Sequence, residues 1–475
     1  YNKKSKNKYM KRMMDMNNKN AWKTYTEEDI NGLERLNASY RKFLSDCKTE
    51  RECTKEIIRR AEEAGYIDID TCINEGKTIK NGDKLYAVNM NKSVALFNIG
   101  KRPISEGMNI IGAHIDSPRL DVKQNPLYEE GGMAYLDTHY YGGIKKYQWA
   151  ALPLAIHGVI VKKDGTCVEV CVGEEDDDPV FCITDLLIHL SSKQMEKTGA
   201  KVIEGEQLDV VVGSIPLSDS EKNCVKENVL NILKKEYDIE EEDFVSAELE
   251  VVPAGKAREL GFDRGMIMSY GQDDRVCAFT SLEAQLNVEN PERTTCCLLV
   301  DKEEIGSVGA TGMRSHFFEN TVSEIINLME EYSELKVRRC LKNSYMLSTD
   351  VNAGYDPMFA EVFDSKNASY CGNGVVFSKY TGSRGKSGSN DANAEYIAKI
   401  RNVMDNNNVV YQTAELGKVD AGGGGTIAYI LSLYGMEVID CGVAVLNMHA
   451  PWEIVSKADV YETEKCYRAF LRKMI

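Results

Sequence analysis

Three things are missing from this 475-residue sequence, and each absence excludes a class of protein. No run of about 18 or more apolar residues occurs, so the sequence predicts no membrane-spanning helix. There is no excess of basic residues either: the formal net charge is −16 at pH 7, which argues against binding to nucleic acid phosphates. We therefore expect neither a membrane nor a nucleic acid as a partner.

Cysteine pairs of the Cys-X-X-Cys type are also missing. The fourteen cysteines are scattered, and several (Cys277, Cys296, Cys297 and Cys441) lie inside apolar runs. Reduced thiols in a cytoplasmic protein are therefore a better interpretation than a disulfide framework, and a zinc site built from thiolates is not expected. The basic residues 1–8 are not followed by the apolar core of a signal peptide, which agrees with a cytoplasmic location.

Alternating helical and extended patterns dominate the second half of the chain. The sequence predicts helices over 274–287, 321–333, 391–404, 426–434 and 456–473, and strands over 294–300, 345–349, 409–414 and 437–446. Such alternation predicts an α/β fold in which helices cover both faces of a mixed or parallel sheet.

A stretch of different character interrupts this pattern. Residues 128–147 are rich in glycine and tyrosine, predicted strand pairs follow, and 185–197 is predicted to be a helix that carries His189. We therefore predict an inserted domain over 125–265, with residues 1–124 and 266–475 together forming the main domain.

Two adjacent carboxylates, Glu303 and Glu304, follow the predicted strand 294–300. Side chains of neighbouring extended residues point in opposite directions, so these acids are not expected to do the same job. One is suited to bind a metal ion and the other to act as a general base on a bound water. Further acidic and imidazole residues occupy similar positions, just past strands or at turns: His114, Asp116, Asp273, Asp274, Asp350 and His449.

These residues are expected to meet in one crevice. The carboxyl ends of parallel strands lie along the same edge of an open α/β sheet, where such proteins place their chemistry. Imidazole and carboxylate ligands without thiolates suit zinc, manganese or cobalt, and one carboxylate can bridge two ions. The sequence therefore predicts a divalent metal site, while a set of unconnected structural histidines and turn acids is the alternative.

Five motifs, in order along the chain, resemble those of the aspartyl aminopeptidase family, dinuclear-zinc exopeptidases that include the vacuolar aminopeptidases. The motifs lie at residues 112–118, 271–275, 303–307, 348–350 and 448–449. The resemblance covers nearly the whole chain. It implies a catalytic domain of the zinc-peptidase α/β type, an inserted β-rich dimerisation domain, and a homo-oligomer of dimers, a tetrahedral dodecamer.

The resemblance also implies a role for each site residue. The implied metal ligands are His114, Asp274, Glu304, Asp350 and His449. Of the neighbouring acids Asp273 and Asp274, the motif alignment selects Asp274 as the ligand that bridges both ions. Glu303 resembles the general base. Asp116 resembles the carboxylate that fixes the tautomer of His114 without itself binding metal.

His189 resembles a family histidine that enters a neighbouring subunit's site and stabilises the developing oxyanion. If so, an isolated subunit would be inactive. Because His189 stands among Leu186, Leu187, Ile188 and Leu190, a partly buried structural histidine is the alternative.

Several residues are predicted to contact the substrate. The glycine run 422–425 precedes a predicted helix and would suit a phosphate, but it lacks the Lys-Ser/Thr ending of a P-loop. The resemblance instead implies a loop that lines the substrate pocket, including Gly423 and Gly424. Lys379 and Lys386 are candidates to pair with an acidic substrate side chain. The sequence around Lys379 differs from that of strictly acid-specific members of the family. A preference for substrates with a neutral N-terminal residue, or a broader specificity, is therefore the alternative.

The function predicted from the sequence is that of a cytoplasmic metallo-aminopeptidase that removes single N-terminal residues from peptides. We expect two divalent ions per subunit, zinc first, with cobalt or manganese as alternatives. A metal-dependent amidase, deacylase or cyclase is a second hypothesis. A comparison of aminoacyl amides with N-acylated substrates would distinguish it from an aminopeptidase, because an aminopeptidase needs a free amine. A catalytically silent assembly scaffold is a third hypothesis, which would be favoured by absence of bound metal together with no activity after zinc, manganese or cobalt is added.

Overall fold

A computed structural model describes residues 20–217, 222–382 and 384–475, so the basic residues 1–8 lie outside the described part of the chain. In chain order the strands are β1 (Ile67–Asp68), β2 (Lys84–Asn89), β3 (Ser93–Asn98), β4 (Asn109–His114), β5 (Arg119–Glu130), β6 (Met133–Tyr141), β7 (Leu154–Val161), β8 (Cys167–Val172), β9 (Val210–Gly213), β10 (Ala247–Pro253), β11 (Arg258–Leu260), β12 (Met266–Ser269), β13 (Thr295–Val300), β14 (Tyr345–Thr349), β15 (Asn352–Ala353), β16 (Val375–Ser378), β17 (Tyr411–Thr413), β18 (Glu437–Gly442), β19 (Ala444–Leu446) and β20 (Glu453–Ser456). The α-helices are α1 (Glu27–Asp46), α2 (Glu50–Glu63), α3 (Ile69–Glu75), α4 (Ser192–Met195), α5 (Cys224–Tyr237), α6 (Gln272–Leu286), α7 (Phe317–Met329), α8 (Glu334–Lys342), α9 (Ala394–Asn406), α10 (Ala428–Ser432) and α11 (Lys457–Lys473).

A nine-stranded mixed sheet forms the centre of the main domain, in the order β1-β2-β3-β13-β4-β14-β18-β16-β17. Strands β13, β4, β14 and β18 are parallel, with Val300 beside His114 and Thr349 beside Cys441. Strands β3 and β16 run antiparallel to them on either side. The parallel strands therefore end along one edge. This sheet and the helices on its two faces confirm the predicted α/β fold class.

Two hydrophobic cores lie on opposite faces of this sheet because successive strand residues point to opposite sides. On β4, Ile111 belongs to the core beneath α1, α2, α6, α9 and α11, whereas Ile110 belongs to the core beneath α3, α7, α8 and α10. Aromatic residues such as Phe43, Phe279 and Phe318 are almost fully buried there. Burial of each such side chain stabilises the fold by about 1.5–3 kcal/mol.

A six-stranded sheet (β8-β7-β10-β5-β6-β9) has its own core around Trp149, Leu154 and Val251. Its strands lie between Arg119, the first residue of β5, and Pro253, the last residue of β10. This range begins six residues before the predicted insertion and ends inside it. The boundaries 125 and 265, and a role of this part in dimerisation, stay predictions.

The predicted helix over 185–197 does not form. Its place is taken by a 3₁₀ turn at Ile188–Leu190 and the single-turn helix α4. Four of the five residues at 186–190 are apolar, so in a helix they would spread over more than half of its circumference and would not share one face. Leu186, Leu187, Ile188 and Leu190 are exposed instead, and so is His189. The alternative of a partly buried structural histidine is therefore not observed.

A five-stranded sheet (β11-β12-β20-β19-β15) lies next to the edge where the parallel strands end. The predicted strand 437–446 is divided between two sheets, since β18 belongs to the central sheet and β19 to this one. The division follows Gly442, where a Cβ atom would lie 1.8 Å from the carbonyl oxygen of Asp350. Only glycine permits this close approach of the two chain segments.

No helix among the described residues is both long and apolar enough to cross a membrane. All fourteen cysteines, each of which lies in the described ranges, are free thiols.

Candidate metal centre

The strand ends bring most of the predicted site residues together. His114 is the last residue of β4, Glu303 and Glu304 lie in the 3₁₀ turn after β13, and Asp350 directly follows β14. His449 comes from the connection between β19 and β20. Parallel strands thus deliver three of the four segments to one edge, as expected for an open α/β sheet.

The carboxylate of Asp273, at the start of α6, lies between two imidazoles. Its Oδ1 is 3.2 Å from Nε2 of His114, and its Oδ2 is 3.2 Å from Nε2 of His449. Asp350 Oδ1 lies 3.9 Å from the same nitrogen of His114, and Glu304 Oε1 lies 3.5 Å from that of His449. The donors therefore form two groups that share Asp273.

These donors fit divalent metal ions. Zinc binds imidazole nitrogen and carboxylate oxygen at about 2.0–2.2 Å, so two ligands of one tetrahedral ion are separated by about 3.4 Å. The separations between these donor atoms are close to that value. Moreover, His114 Nε2 and Asp273 Oδ1 are buried without any hydrogen-bond partner, which is costly unless another group satisfies them.

Asp274, which the sequence analysis assigned as the bridging ligand, does not lie between the two imidazoles. It is fully buried near Asp273 and Asp350, and its two carboxylate oxygens have no hydrogen-bond partner. However, no histidine of the described chain makes an ion-pair contact with it. The structure therefore places Asp273, and not Asp274, between the imidazoles. Neighbouring side chains diverge along the backbone, so only one of the two acids can occupy this position.

Hydrogen bonds orient both imidazoles with Nε2 toward the shared carboxylate. Nδ1 of His114 lies 2.9 Å from the carbonyl oxygen of Asp116 and 3.2 Å from its Oδ1. Nδ1 of His449 lies 2.8 Å from the carbonyl oxygen of Gly143, which follows β6 of the six-stranded sheet. A proton on each Nδ1 leaves each Nε2 free to bind a metal.

The carboxylate of Asp116 also holds the paired glutamates. Its Oδ1 accepts a hydrogen bond from the backbone N–H of Glu303 and its Oδ2 one from that of Glu304, each at 3.2 Å. Oδ2 accepts a third bond from the Tyr141 hydroxyl at 2.7 Å. Tyr141 was not predicted from the sequence, because nothing in its local pattern connects it with residues 25 positions away.

Enclosing so many acids perturbs their pKa values. Burial, followed by the charges of neighbouring acids, raises the pKa of Glu303 to about 7 and those of Glu304 and Asp350 well above their usual range. Burial alone would raise the pKa of Asp273 too, but the imidazoles of His114 and His449 that face its carboxylate lower it. Without cations the ionised cluster is unfavourable, which is a second reason why the site suits metal ions.

One buried acid, Glu453 at the start of β20, connects the backbones of two site residues. Its Oε2 accepts a hydrogen bond from the N–H of Asp273 at 3.0 Å, and its Oε1 accepts one from the N–H of His449 at 2.7 Å. A single carboxylate thereby fixes the spacing of these residues. The sequence analysis missed Glu453, because only its neighbours in space reveal its role.

A cavity of about 490 Å³ opens over the centre. It is lined by the site carboxylates, His449 and the predicted residues Gly423 and Gly424, together with Arg314 and Tyr429, which were not predicted. Within the described chain, Lys379, Lys386 and His189 do not line it. Lys386 borders a neighbouring cavity. Both lysines contact Asp391 instead, at 3.4 Å and 2.8 Å.

A mixed α/β sheet with imidazole and carboxylate donors at the ends of its parallel strands, beneath an open cavity, defines a metal-dependent hydrolase. The model of the aminopeptidase I zinc metalloproteases (M18) matches residues 43–471. The chain therefore belongs to the M18 family of aminopeptidases, which are zinc metallo-exopeptidases. The predicted family and enzyme class are confirmed.

Bacterial relatives resemble nearly the full length of this chain. A probable M18 family aminopeptidase 1 from Clostridium acetobutylicum is 62% identical over 95% of this chain and 98% of its own. The crystal structure of aminopeptidase I from that organism has a TM-score of 0.89 at 60% identity, again covering 95% and 98% of the two chains. That of the Thermotoga maritima M18 aminopeptidase has a TM-score of 0.92 at 45% identity, covering 96% and 100%.

A more distant likeness concerns the fold alone. The Saccharomyces cerevisiae mApe1 dodecamer has a TM-score of 0.74 at 20% identity, covering 93% of this chain and 97% of that one. The comparisons together support an aminopeptidase over the amidase, cyclase and scaffold hypotheses.

Replacing Glu453 by glutamine is expected to weaken metal retention. An amide can accept only one of the two backbone hydrogen bonds, and its NH₂ group would face the other N–H donor. Because supporting residues of metal ligands contribute about 10–100-fold to affinity, we expect a loss in that range, measured as bound zinc at increasing chelator concentration.

Glu462→Gln is the matched control, since Glu462 is a buried acid of α11 that accepts a hydrogen bond from the Val410 N–H at 2.7 Å. Equal zinc retention by the two variants would contradict the positioning role of Glu453.

Proposed function

We propose that this aminopeptidase holds two divalent ions per subunit, zinc in the first instance and cobalt or manganese as alternatives. One ion would be held by His114, Asp273 and Asp350, and the other by His449, Asp273 and Glu304. The observation that carries this assignment is the position of the two Asp273 oxygens, each 3.2 Å from a different imidazole. Such ions, when bound, polarise a scissile carbonyl and make the attacking water more acidic.

We assign the general base to Glu303. It lines the cavity, and its backbone is held by Asp116, so its position is well defined. Unlike Glu304, it makes no ion-pair contact with an imidazole of the described chain. Its carboxylate would take a proton from the attacking water and later deliver it to the nitrogen of the leaving peptide. The substrates are peptides with a free N-terminal amine, from which single residues are removed.

Two asparagine variants test the bridging assignment. Asp273→Asn is expected to remove most bound metal, because a neutral amide satisfies two imidazoles and two ions poorly. Asp274→Asn is expected to keep it, since Asp274 contacts no imidazole. Elemental analysis of the purified variants measures the zinc content directly. Loss of metal in Asp274→Asn together with retention in Asp273→Asn would restore the assignment made from the sequence.

The Glu303→Gln variant tests the base. Removing a positioned general base is expected to lower kcat by about 10²–10⁴-fold while the fold and the bound metal are retained. The measurement is turnover of a panel of aminoacyl amides, each paired with its N-acylated form, with zinc, cobalt or manganese added. Substantial residual turnover would remove Glu303 as base, and cleavage of the N-acylated substrates would point to a deacylase.

We further propose that the chain forms a homo-oligomer, built from dimers into a dodecamer, in which His189 enters the partner subunit's site. The exposed apolar residues around His189, at positions 186–190, support this, because such segments mark protein interfaces. The S. cerevisiae relative of the same fold is named as a dodecamer, which agrees with it. A cytoplasmic location is supported by the free thiols and stays a prediction.

Co-expression of two inactive variants tests a histidine acting between subunits. We expect His189→Ala and Glu303→Gln to be nearly inactive alone. In a mixed dimer, the Glu303→Gln chain would supply its His189 to the active site of the His189→Ala chain, in which Glu303 is intact. Activity at that site should therefore return. Activity of the purified mixed oligomer is the measurement. No recovery in a verified mixture would contradict action across the interface.

A further inference from the structure

Arg314 contributes a cation to the substrate cavity that the proposed mechanism does not use. It is the only lysine or arginine among the described residues that line this cavity. Its backbone N–H donates to the carbonyl oxygen of Ser307 at 3.2 Å, which places it at the end of the loop that follows the paired glutamates.

Tyr429 holds the guanidinium group of Arg314 in place. The guanidinium carbon lies 5.4 Å from the centre of the Tyr429 ring, and Nη2 donates a hydrogen bond to the Tyr429 hydroxyl. Tyr429 belongs to α10, which directly follows the glycine loop of the cavity. The cation–π contact and the hydrogen bond together orient the planar group before any ligand arrives, which lowers the entropy cost of binding.

Arg314 has no carboxylate partner within the described chain, whereas Lys379 and Lys386 share Asp391. A guanidinium has five N–H donors, and the Tyr429 hydroxyl occupies one of them. The remaining donors form a planar fork that matches the two oxygens of a carboxylate.

Beside the proposed metal site, the cavity therefore presents a guanidinium without a carboxylate partner in the described chain, and such a group attracts an anion. A short peptide carries an anion at its C-terminus or on an acidic side chain. We propose that Arg314 binds a carboxylate of the peptide substrate, either the C-terminal carboxylate of a dipeptide or an acidic side chain. This inference rests on the proposed aminopeptidase function and identifies a specificity-determining residue of that reaction.

Arg314→Gln tests the inference with matched substrate pairs. The first pair is the dipeptide Leu-Gly and its C-terminal amide, and the second is Asp-Leu-amide and Asn-Leu-amide. Hydrogen bonds to charged groups contribute about 1.5–3 kcal/mol, which corresponds to about 10–150-fold. We expect Arg314→Gln to lower kcat/KM by that factor for one carboxylate substrate, mainly through KM, and to change its neutral partner little.

The pair that responds identifies the source of the carboxylate. A response to Leu-Gly and not to its amide assigns Arg314 to the C-terminus of dipeptides. A response to the Asp but not the Asn substrate assigns it to the acidic side chain. Equal effects on both members of each pair, or no effect on any substrate, would overturn the proposal.

Two further variants separate Arg314 from other cations. Arg338→Gln is the matched control, because Arg338 lies on α8 and pairs with Glu334 at 2.6 Å, outside the cavity. For this variant we expect no difference between the members of either substrate pair in the change of kcat/KM. A carboxylate-specific loss in Lys386→Gln and not in Arg314→Gln would instead place the carboxylate at the neighbouring cavity and contradict the proposal.

A binding measurement keeps this inference distinct from the proposed function. Calorimetric titration of Leu-Gly and Asp-Leu-amide into zinc-loaded Glu303→Gln requires no turnover. Adding Arg314→Gln to this variant should weaken binding of one of the two ligands by at least about tenfold. If the wild type showed no peptidase activity, weakened binding in the double variant would leave the Arg314 assignment intact and reject the proposed function. Active wild type with unchanged binding would do the reverse.

Discussion

The site depends on one carboxylate, that of Asp273, which lies between the imidazoles of His114 and His449. The Nδ1 atom of each imidazole contacts a backbone carbonyl oxygen, which fixes the orientation of the ring. The carboxylate of Glu453 accepts hydrogen bonds from the backbone N–H groups of Asp273 and His449 and so holds these two residues at a fixed spacing. The carboxylate can therefore serve two cations at once without moving. If this spacing changed, the two donor groups would no longer share a ligand, and the proposed dinuclear centre could not form.

The buried acids at the end of the central sheet are unfavourable in their ionised form, because burial and their mutual repulsion both disfavour negative charge. Burial and mutual repulsion raise the pKa values of Glu304 and Asp350, and polar atoms at the centre lack partners. Divalent cations would neutralise this charge and satisfy these atoms together. The acids are thus unfavourable for the empty fold and favourable for the loaded enzyme, as is usual where stability is exchanged for function.

The six-stranded sheet contributes to the centre as well as to the shape of the molecule. Tyr141 at the end of β6 bonds to Asp116, and the carbonyl oxygen of Gly143 bonds to His449. Both contacts orient groups that face the proposed metal ions. The same sheet leads to the exposed apolar segment that carries His189, so one unit would support the site of its own subunit and, in the proposed oligomer, that of its partner.

The sequence by itself determined the α/β class, the family and the strand ends at which His114 and Glu304 stand, because these follow from local periodicity and contiguous motifs. Only the tertiary structure showed that Asp273 and not Asp274 lies between the imidazoles, revealed Glu453 and Arg314, and placed Lys386 at a neighbouring cavity. Those outcomes depend on which side chains meet across long separations in sequence. Periodicity fixes which face a side chain occupies, but the partner that it finds there is set by how separate segments pack.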